Sequence, residues 1–146
     1  MAAQRAFYFS TDWGQFSMEL KFHDGLMPTI IQDRHTGKVL MLGYMNQEAL
    51  DQTLKSGYVT FFSRSRQKLW TKGETSGHFL QVREVRVDCD HDALLVQADL
   101  TGPGCCHLGY KSCFFSKLSA SGEEVFMARE FDPAKVYGAK EPESQT

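Results

Sequence analysis

Residues 39–57 read VLMLGYMNQEALDQTLKSG, and this stretch decides the fold class. The apolar run over residues 39–45 predicts a strand. Asn46 is a favourable helix N-cap, Glu48 suits the positive end of a helix dipole, and Gly57 is typical of a helix end. A strand that leads directly into a short helix, with further strand patterns on both sides, predicts an α+β domain.

The residues around this stretch predict further strands in a compact, mostly antiparallel sheet. Residues 16–22 alternate apolar and polar side chains, and residues 26–32 form a second run after an Asp-Gly turn. Short turns between consecutive strands indicate an antiparallel meander. The remaining predicted strands cover residues 58–62, 68–71, 81–87, 93–100 and 114–118, with a bulge where the apolar phase slips between Val82 and Val85.

Length and composition indicate one globular domain. The chain has 146 residues, of which 42% are hydrophobic and 23% are charged, as in ordinary folded domains. We expect this domain to span residues 1–132, and residues 133–146 to form a polar, frayed tail. The net charge of -2 argues against a general nucleic-acid partner, and no apolar run approaches the ~18 residues of a membrane span.

The cysteines are clustered, which favours metal binding. Residues 1–10 lack the apolar core of a signal peptide, so we expect a cytoplasmic protein whose thiols stay reduced. The four cysteines are Cys89, Cys105, Cys106 and Cys113. Three thiolates with one open position match a catalytic zinc better than a closed structural zinc. His107, beside Cys106, is then a zinc ligand, a general base or a packed ring.

An acidic segment precedes the predicted strand at residues 93–100. Residues 88–92 read DCDHD, and in extended geometry alternate side chains share one face. Asp88, Asp90 and Asp92 would then form a row that binds a hard cation such as Mg²⁺, while Cys89 faces the other way. A solvated acidic turn is the alternative. A calcium loop is excluded, because its sixth position is alanine instead of glycine.

A basic, hydroxyl-rich segment covers residues 63–78. Arginine, lysine and serine side chains suit phosphate oxygens. The candidate phosphate ligands are Ser63, Arg64, Ser65, Arg66, Lys68, Lys72 and Ser76. Trp70 is a candidate for stacking on a base, and Glu74 for orienting water or substrate. The alternatives are a solvated hairpin turn and a tryptophan that belongs to the core.

Four motifs together resemble the phosphoribosyl-AMP cyclohydrolase family. They lie, in the family's order, at residues 39–50 (VLMLGYMNQEAL), 63–78 (SRSRQKLWTKGETSGH), 88–95 (DCDHDALL) and 102–114 (GPGCCHLGYKSCF). The resemblance runs from about residue 20 to about residue 115. About thirty residues follow, too few for the pyrophosphohydrolase domain that is fused to some members, so we expect a monofunctional enzyme.

The resemblance implies a set of functional residues and an obligate homodimer. One zinc ion per subunit would lie at the dimer interface, bound by Cys89 of one chain and by Cys106 and Cys113 of the other. The three aspartates would bind Mg²⁺, and His107 would act as the base. Cys105 departs from the family, which usually has a small residue without a thiol there. We favour Cys106 as the ligand, because it keeps the family's Cys-His pair.

The resemblance also implies a reaction in histidine biosynthesis. The substrate, 1-(5-phosphoribosyl)-AMP, is a small nucleotide, and hydroxide would attack carbon 6 of its adenine ring. Zinc would supply that hydroxide by lowering the pKa of bound water from ~16 toward ~7. The bond between nitrogen 1 and carbon 6 would break, giving the formimino-aminoimidazole carboxamide ribonucleotide. The rival interpretations are a zinc module that binds single-stranded nucleic acid and a thiol redox protein that uses Cys105 and Cys106.

Overall fold

The computed structural model describes residues 6–11 and 14–138, with side chains from Glu19 onward. The strands are β1 Ala6–Thr11, β2 Gly14–Glu19, β3 Met27–Asp33, β4 Val39–Met45, β5 Thr60–Ser63, β6 Lys68–Thr71, β7 Leu80–Val87, β8 Leu94–Leu100, β9 Ser116–Ser119 and β10 Gly122–Val125. The helices are α1 Gln47–Ser56 and α2 Pro133–Tyr137. The predicted α+β class is confirmed.

A four-stranded sheet, in the order β4-β3-β8-β7, forms the centre of the fold. Strand β3 pairs antiparallel with β4, and β7 pairs antiparallel with β8. The antiparallel meander predicted for residues 16–45 is wrong at its first strand, because β2 pairs with β1 and lies outside this sheet. The pair β3–β8 is parallel. A parallel pair needs a long crossover, and here α1 and β5 to β7 lie between the two strands in sequence. The predicted bulge is confirmed between Val82 and Glu84.

The other strands form separate hairpins, β1–β2, β5–β6 and β9–β10. The prediction that residues 114–118 complete the main sheet is wrong, because β9 pairs only with β10 among the described strands. Strand β10 was not predicted, because its residues are all exposed and show no apolar alternation. Strand β2 ends at Glu19, three residues before the predicted end, and β1 was not predicted.

The local signals around α1 are confirmed. The Asn46 side chain accepts a hydrogen bond from the Ala49 N–H at 2.8 Å. Gly57 has a φ of 81° and closes the helix by donating its N–H to the Thr53 carbonyl. The Thr53 hydroxyl oxygen also accepts the Thr60 N–H at 3.0 Å, which ties the buried face of the helix to β5.

The C-terminal region begins with a helix where a frayed tail was predicted. Helix α2 has Asp132 as its N-cap, and the Asp132 carboxylate accepts the Ala134 N–H at 3.0 Å. Pro133 at the first helical position suits this start. Residues 139–146 of the predicted tail lie outside the described residues. No helix in the described ranges is long and apolar enough to span a membrane.

The core lies on the central sheet, beneath α1 and the β5–β6 hairpin. Its fully buried side chains include Met27, Ile31, Leu40, Met45, Val59, Phe61, Leu80 and Val96. Gly43 of β4 lies directly against the Phe61 ring: a Cβ atom built on Gly43 would come within 2.5 Å of it. This close approach is how β4 and β5 pack together.

We expect Gly43→Ala to lower the free energy of unfolding by about 1–3 kcal/mol, because the added methyl overpacks a filled core. Phe61→Leu should make room for that methyl. The double variant Gly43→Ala/Phe61→Leu should therefore lose less stability than the sum of the two single variants, by about 0.5 kcal/mol or more. Urea unfolding of the four proteins measures this coupling, and simple additivity would contradict the packing argument.

Candidate functional site

A loop between β8 and β9 folds back on itself and carries three of the four cysteines. The N–H of Cys105 donates to the Lys111 carbonyl and that of Cys106 to the Tyr110 carbonyl, both at 3.0 Å. Gly109, with a φ of 98°, allows the reversal between these rungs. The N–H of Cys113 donates to the Leu40 carbonyl at 2.7 Å, so the loop is fastened to the edge strand β4.

This anchoring brings three thiols together with Cys113 in the middle. The thiol of Cys113 interacts with those of both Cys105 and Cys106. Its bond with Cys105, with burial as a further cause, raises the pKa of Cys113 to about 12. The bond with Cys113 also raises the pKa of Cys106, whereas the hydrogen bond from Cys113 lowers the pKa of Cys105. The Cys106 sulfur accepts the Leu108 N–H at 3.4 Å.

The thiols offer a metal ion a pair of ligands from one chain. Within the described residues, the only three ligand atoms that all lie within 4.8 Å of one another are aspartate oxygens. The three loop thiols therefore do not form a complete three-ligand set. Cys89, the fourth cysteine, is exposed. A site built on Cys106 and Cys113 thus needs a further ligand that this loop does not supply.

The acidic segment is a turn, which corrects the predicted extended geometry. The Asp88 carboxylate accepts the N–H groups of Asp92 and Ala93 at 3.0 and 3.2 Å, and His91 has a φ of 61°. The three carboxylates still converge, because the turn curls them toward one point: ligand oxygens of Asp88, Asp90 and Asp92 lie within 4.8 Å of one another. This group can bind a hard cation.

Hydrogen bonds within the turn, and then the like charges of its carboxylates, shift the pKa values of two of the aspartates. The hydrogen bond with Asp88 and the nearby like charges raise the pKa of Asp92. The backbone N–H of Asp92 lowers the pKa of Asp88. The two side chains therefore share a proton more readily than isolated aspartates do, and a cation would relieve the same repulsion.

Two histidines and one lysine lie near the thiols. Lys72, which follows β6, is 1% exposed, and its charge acts on Cys105, Cys113, His78 and His107. Burial, and then the charge of Lys72, lowers the pKa of His107, so its imidazole is neutral at pH 7. The Nδ1 atoms of His78 and His107 are buried without a hydrogen-bond partner.

His78 is a site residue that sequence analysis missed. Its ring lies edge-on to Phe131 at 4.8 Å between ring centres. A Cβ atom on Gly102, whose φ is 121°, would come within 2.6 Å of the same ring. Because Gly102 has no Cβ atom, the His78 ring can lie against the start of the loop that carries the cysteines. In the sequence, His78 is the last residue of the basic segment 63–78, and this position was the one signal that could have marked it as a site residue.

The basic hairpin divides into exposed and buried members. The Arg64 guanidinium lies 4.0 Å above the centre of the Tyr44 ring, and that of Arg66 lies 5.9 Å from the Trp70 ring. Arg64, Ser65, Arg66 and Lys68 are exposed. Ser63 is buried, and its hydroxyl oxygen accepts the Arg66 N–H at 3.2 Å. The β5–β6 turn thus exposes three cations, and the hydrogen bond to Ser63 stabilises its backbone.

The other members of the basic motif lie elsewhere. Trp70 is 6% exposed and packs on Phe61, so the structure favours the core alternative for this residue over base stacking. The Glu74 carboxylate accepts the Thr71 N–H at 3.3 Å, and the Ser76 hydroxyl oxygen accepts the His78 N–H at 3.1 Å. Both contacts shape the turn that leads to His78.

Comparison with known proteins identifies a matching family and close relatives. The family model described as phosphoribosyl-AMP cyclohydrolase matches residues 41–115, a stretch that includes all four cysteines and the three clustered aspartates. A protein of that name from Solibacter usitatus is 55% identical over 117 residues, which cover 80% of this chain and 93% of that protein.

Two further relatives carry the same name. The protein from Desulforapulum autotrophicum is 54% identical over 123 residues, covering 82% of this chain and 98% of its own length. The protein from Methanosarcina mazei is 50% identical over 118 residues, covering 81% and 95%.

We expect cation binding at the aspartate turn to weaken as the pH falls through the raised pKa of Asp92. The proton shared with Asp88 must leave before the group carries its full charge. Mn²⁺, followed by electron paramagnetic resonance, reports this binding directly. Asp92→Asn should weaken binding roughly fivefold or more and flatten its pH dependence in that range. Affinity that is independent of pH in the unmodified protein would contradict this account.

Proposed function

The chain belongs to the phosphoribosyl-AMP cyclohydrolase family, an enzyme family of histidine biosynthesis, and we propose that it opens the adenine ring of 1-(5-phosphoribosyl)-AMP by zinc-dependent hydrolysis. Water adds at carbon 6, the bond to nitrogen 1 breaks, and the product is the formimino-aminoimidazole carboxamide ribonucleotide. The observation that carries the proposal is the folded-back loop with Cys105, Cys106 and Cys113, which is anchored to β4 and lies within the stretch that matches the family.

Zinc fits this thiol pair chemically. Cysteine thiolates are preferred zinc ligands, and zinc binding displaces the protons that the paired thiols hold at neutral pH. The Leu108 N–H that donates to the Cys106 sulfur also suits a thiolate. A zinc ion held here would supply hydroxide at neutral pH, because zinc lowers the pKa of bound water to about 7.

The pair Cys106 and Cys113 lacks a third zinc ligand from its own loop. This supports an obligate homodimer with the zinc at its interface. Cys89 is exposed and so is accessible to a second copy of the chain. In the proposed arrangement, Cys89 of one chain completes the site formed by Cys106 and Cys113 of the other. Each dimer then has two equivalent zinc sites, as two-fold symmetry requires.

His107 is the proposed general base. Its pKa is lowered by burial and by Lys72, so the imidazole is in the form that accepts a proton. Its Nδ1 atom is buried and makes no hydrogen bond within the protein, which leaves that nitrogen without a competing partner. His107 would take the proton from the attacking water and pass it to the departing nitrogen 1.

The exposed cations of the β5–β6 turn are the proposed phosphate ligands. The Arg64 guanidinium lies over the Tyr44 ring, an arrangement that orients the planar group and leaves its N–H groups available, and Arg66 is exposed two residues further along the turn. Lys68 is exposed beside them. The exposed Ser65 hydroxyl is a further hydrogen-bond donor to phosphate in this proposal. The buried Ser63 stabilises the turn by accepting the Arg66 N–H.

Mg²⁺ at the aspartate turn is the proposed second metal. The three carboxylates are the hard oxygen ligands that Mg²⁺ prefers, and an exposed site lets the ion keep several waters and reach a substrate phosphate. We place the enzyme in the cytoplasm, where reduced thiols remain available to zinc. The substrate is a small nucleotide, and the burial of Trp70 weakens the rival nucleic-acid module.

Turnover of phosphoribosyl-AMP by the purified protein tests the reaction, the metal and the dimer together. We expect activity to disappear on chelation, to return with zinc, and to be absent in Cys113→Ser. Cys89→Ser and Cys106→Ser should each be inactive alone. When the two inactive proteins exchange subunits, half of the molecules become mixed dimers with one intact site, so about a quarter of the original activity should return.

Failure of this complementation, in a sample where mixed dimers are demonstrated by a tag on one variant, would contradict the shared zinc site. A folded, zinc-loaded dimer without turnover would contradict the reaction itself. These two results are separate, because complementation concerns only which chain supplies Cys89.

We expect Arg64→Ala to raise KM for phosphoribosyl-AMP about tenfold or more with a smaller change in kcat, because a phosphate ligand contributes binding in both ground and transition states. Lys55→Ala, at the exposed end of α1, is the control and should leave both constants unchanged. A KM for Arg64→Ala equal to that of the control would remove this arginine from the phosphate site.

A further inference from the structure

The segment of residues 129–133, which we call the strap, lies across the loop that carries three of the cysteines. The N–H groups of Glu130 and Phe131 both donate to the Gly109 carbonyl, at 2.7 and 3.3 Å. The first residue of the strap forms an isolated antiparallel bridge with Tyr110. The backbone of the strap is therefore attached to the turn of the cysteine loop.

Phe131 is the residue of the strap that contacts the loop at two places. A Cβ atom built on Gly104 would come within 2.9 Å of the Cε1 atom of the Phe131 ring. The backbone carbonyl oxygen of Phe131 is the atom nearest to a Cβ built on Gly109. Cys105 and Cys106 lie between these two glycines in the sequence, so Phe131 contacts the loop on both sides of the cysteine pair.

The same phenylalanine ring also contacts His78. The two rings meet edge-on, with 4.8 Å between their centres and an angle of 81° between their planes. The nearest atom of His78 to a Cβ built on Gly102 is Cδ2, at 2.6 Å. The neighbouring backbone fixes this crossing, because the Thr101 N–H donates to the Phe79 carbonyl and the Phe79 N–H donates to the Thr101 hydroxyl oxygen, both at 2.9 Å. The basic segment, the cysteine loop and the strap therefore meet at these two rings.

The first half of the cysteine loop depends on such contacts, because it contains Gly102, Gly104 and Gly109. Glycine has more conformational freedom than any other residue, so a segment rich in glycine needs contacts from other segments to keep one conformation. The hydrogen bond that fastens the loop to β4 comes later in the chain, at Cys113. In the first half, His78 contacts Gly102, and the strap contacts the other two glycines.

We propose that Phe131 is a positioning residue of the site, which holds the His78 imidazole and the cysteine loop in one fixed arrangement. The consequence for turnover rests on the proposed function, whereas the arrangement itself does not. A residue that touches no reacting atom can act in this way, because a displacement of about 1 Å in the site lowers a rate about 100-fold. The strap follows residue 115, where the family match ends, so none of the four motifs contains it.

The first measurement follows the His78 ring by nuclear magnetic resonance in the unmodified protein, Phe131→Ala, Phe131→Leu and Phe126→Ala. Phe126 is exposed and serves as the matched control, and a spectrum of His78→Gln assigns the His78 signals among those of the five histidines. We expect the nuclear Overhauser effect between the His78 ring and the Gly102 α-protons to weaken or disappear in Phe131→Ala. Phe131→Leu, which keeps much of the apolar volume, should recover part of it, and the control should equal the unmodified protein.

The second measurement compares kcat and KM for phosphoribosyl-AMP in the same proteins, well below the melting temperature of each. We expect Phe131→Ala to lower kcat about tenfold or more and to change KM less than about threefold, because the site loses alignment while the phosphate ligands stay in place. Phe131→Leu should recover part of kcat. Gly43→Ala, which weakens the core, shows what reduced stability alone does and should keep its kcat.

Three results would overturn the inference. An undiminished contact between His78 and Gly102 in Phe131→Ala would show that the histidine keeps its place without the strap, whatever reaction the enzyme performs. A kcat of Phe131→Ala equal to that of Phe126→Ala or Gly43→Ala would leave Phe131 a structural role only, and a raised KM with unchanged kcat would assign it to substrate binding. If the unmodified protein does not turn over phosphoribosyl-AMP, the proposed function fails, and the resonance measurement still decides whether Phe131 positions His78.

Discussion

The attachment of the cysteine loop to the edge of the central sheet is the constraint on which the rest of the site depends. The hydrogen bond from the Cys113 N–H to the Leu40 carbonyl fixes one end of the loop to β4, and the Ser112 hydroxyl adds a second bond, to the Val39 carbonyl at 2.7 Å. A buried backbone group that lost such a partner would be costly. These bonds hold the loop, and with it Cys113, against the central sheet.

The same attachment explains why the site can hold unusual protonation states. Cys105 is part of the hydrophobic core, and the Lys72 side chain is buried nearby. In such surroundings hydrogen bonds and neighbouring charges act strongly, since water screens them little. The thiols, His107 and Lys72 therefore influence one another, whereas the aspartate turn and Arg64 are exposed to solvent.

Short-range signals predicted much of the fold correctly. The Asn46 cap, the Gly57 helix end and the phase slip in β7 are all properties of neighbouring residues, and the structure confirms each. The parallel pair β3–β8 and the separate β9–β10 hairpin were missed, because strand order depends on contacts between distant segments. The aspartate turn is instructive: the extended geometry was wrong, yet the carboxylates converge, since the turn and the strand both bring alternate residues together.

The family, the α+β class and the available chemical groups are all evident from the amino-acid sequence: clustered thiols, three alternating carboxylates and a basic turn. These follow from residue identity and spacing along the chain. Only the tertiary structure decided which of them meet. It buried Trp70 and Lys72 while leaving Arg64 exposed, and it placed His78 against Gly102 at the start of the loop that carries the cysteines. Burial and proximity arise from packing between segments that are far apart in sequence. Side chains of similar type can therefore be buried at one position and exposed at another, which gives them different roles.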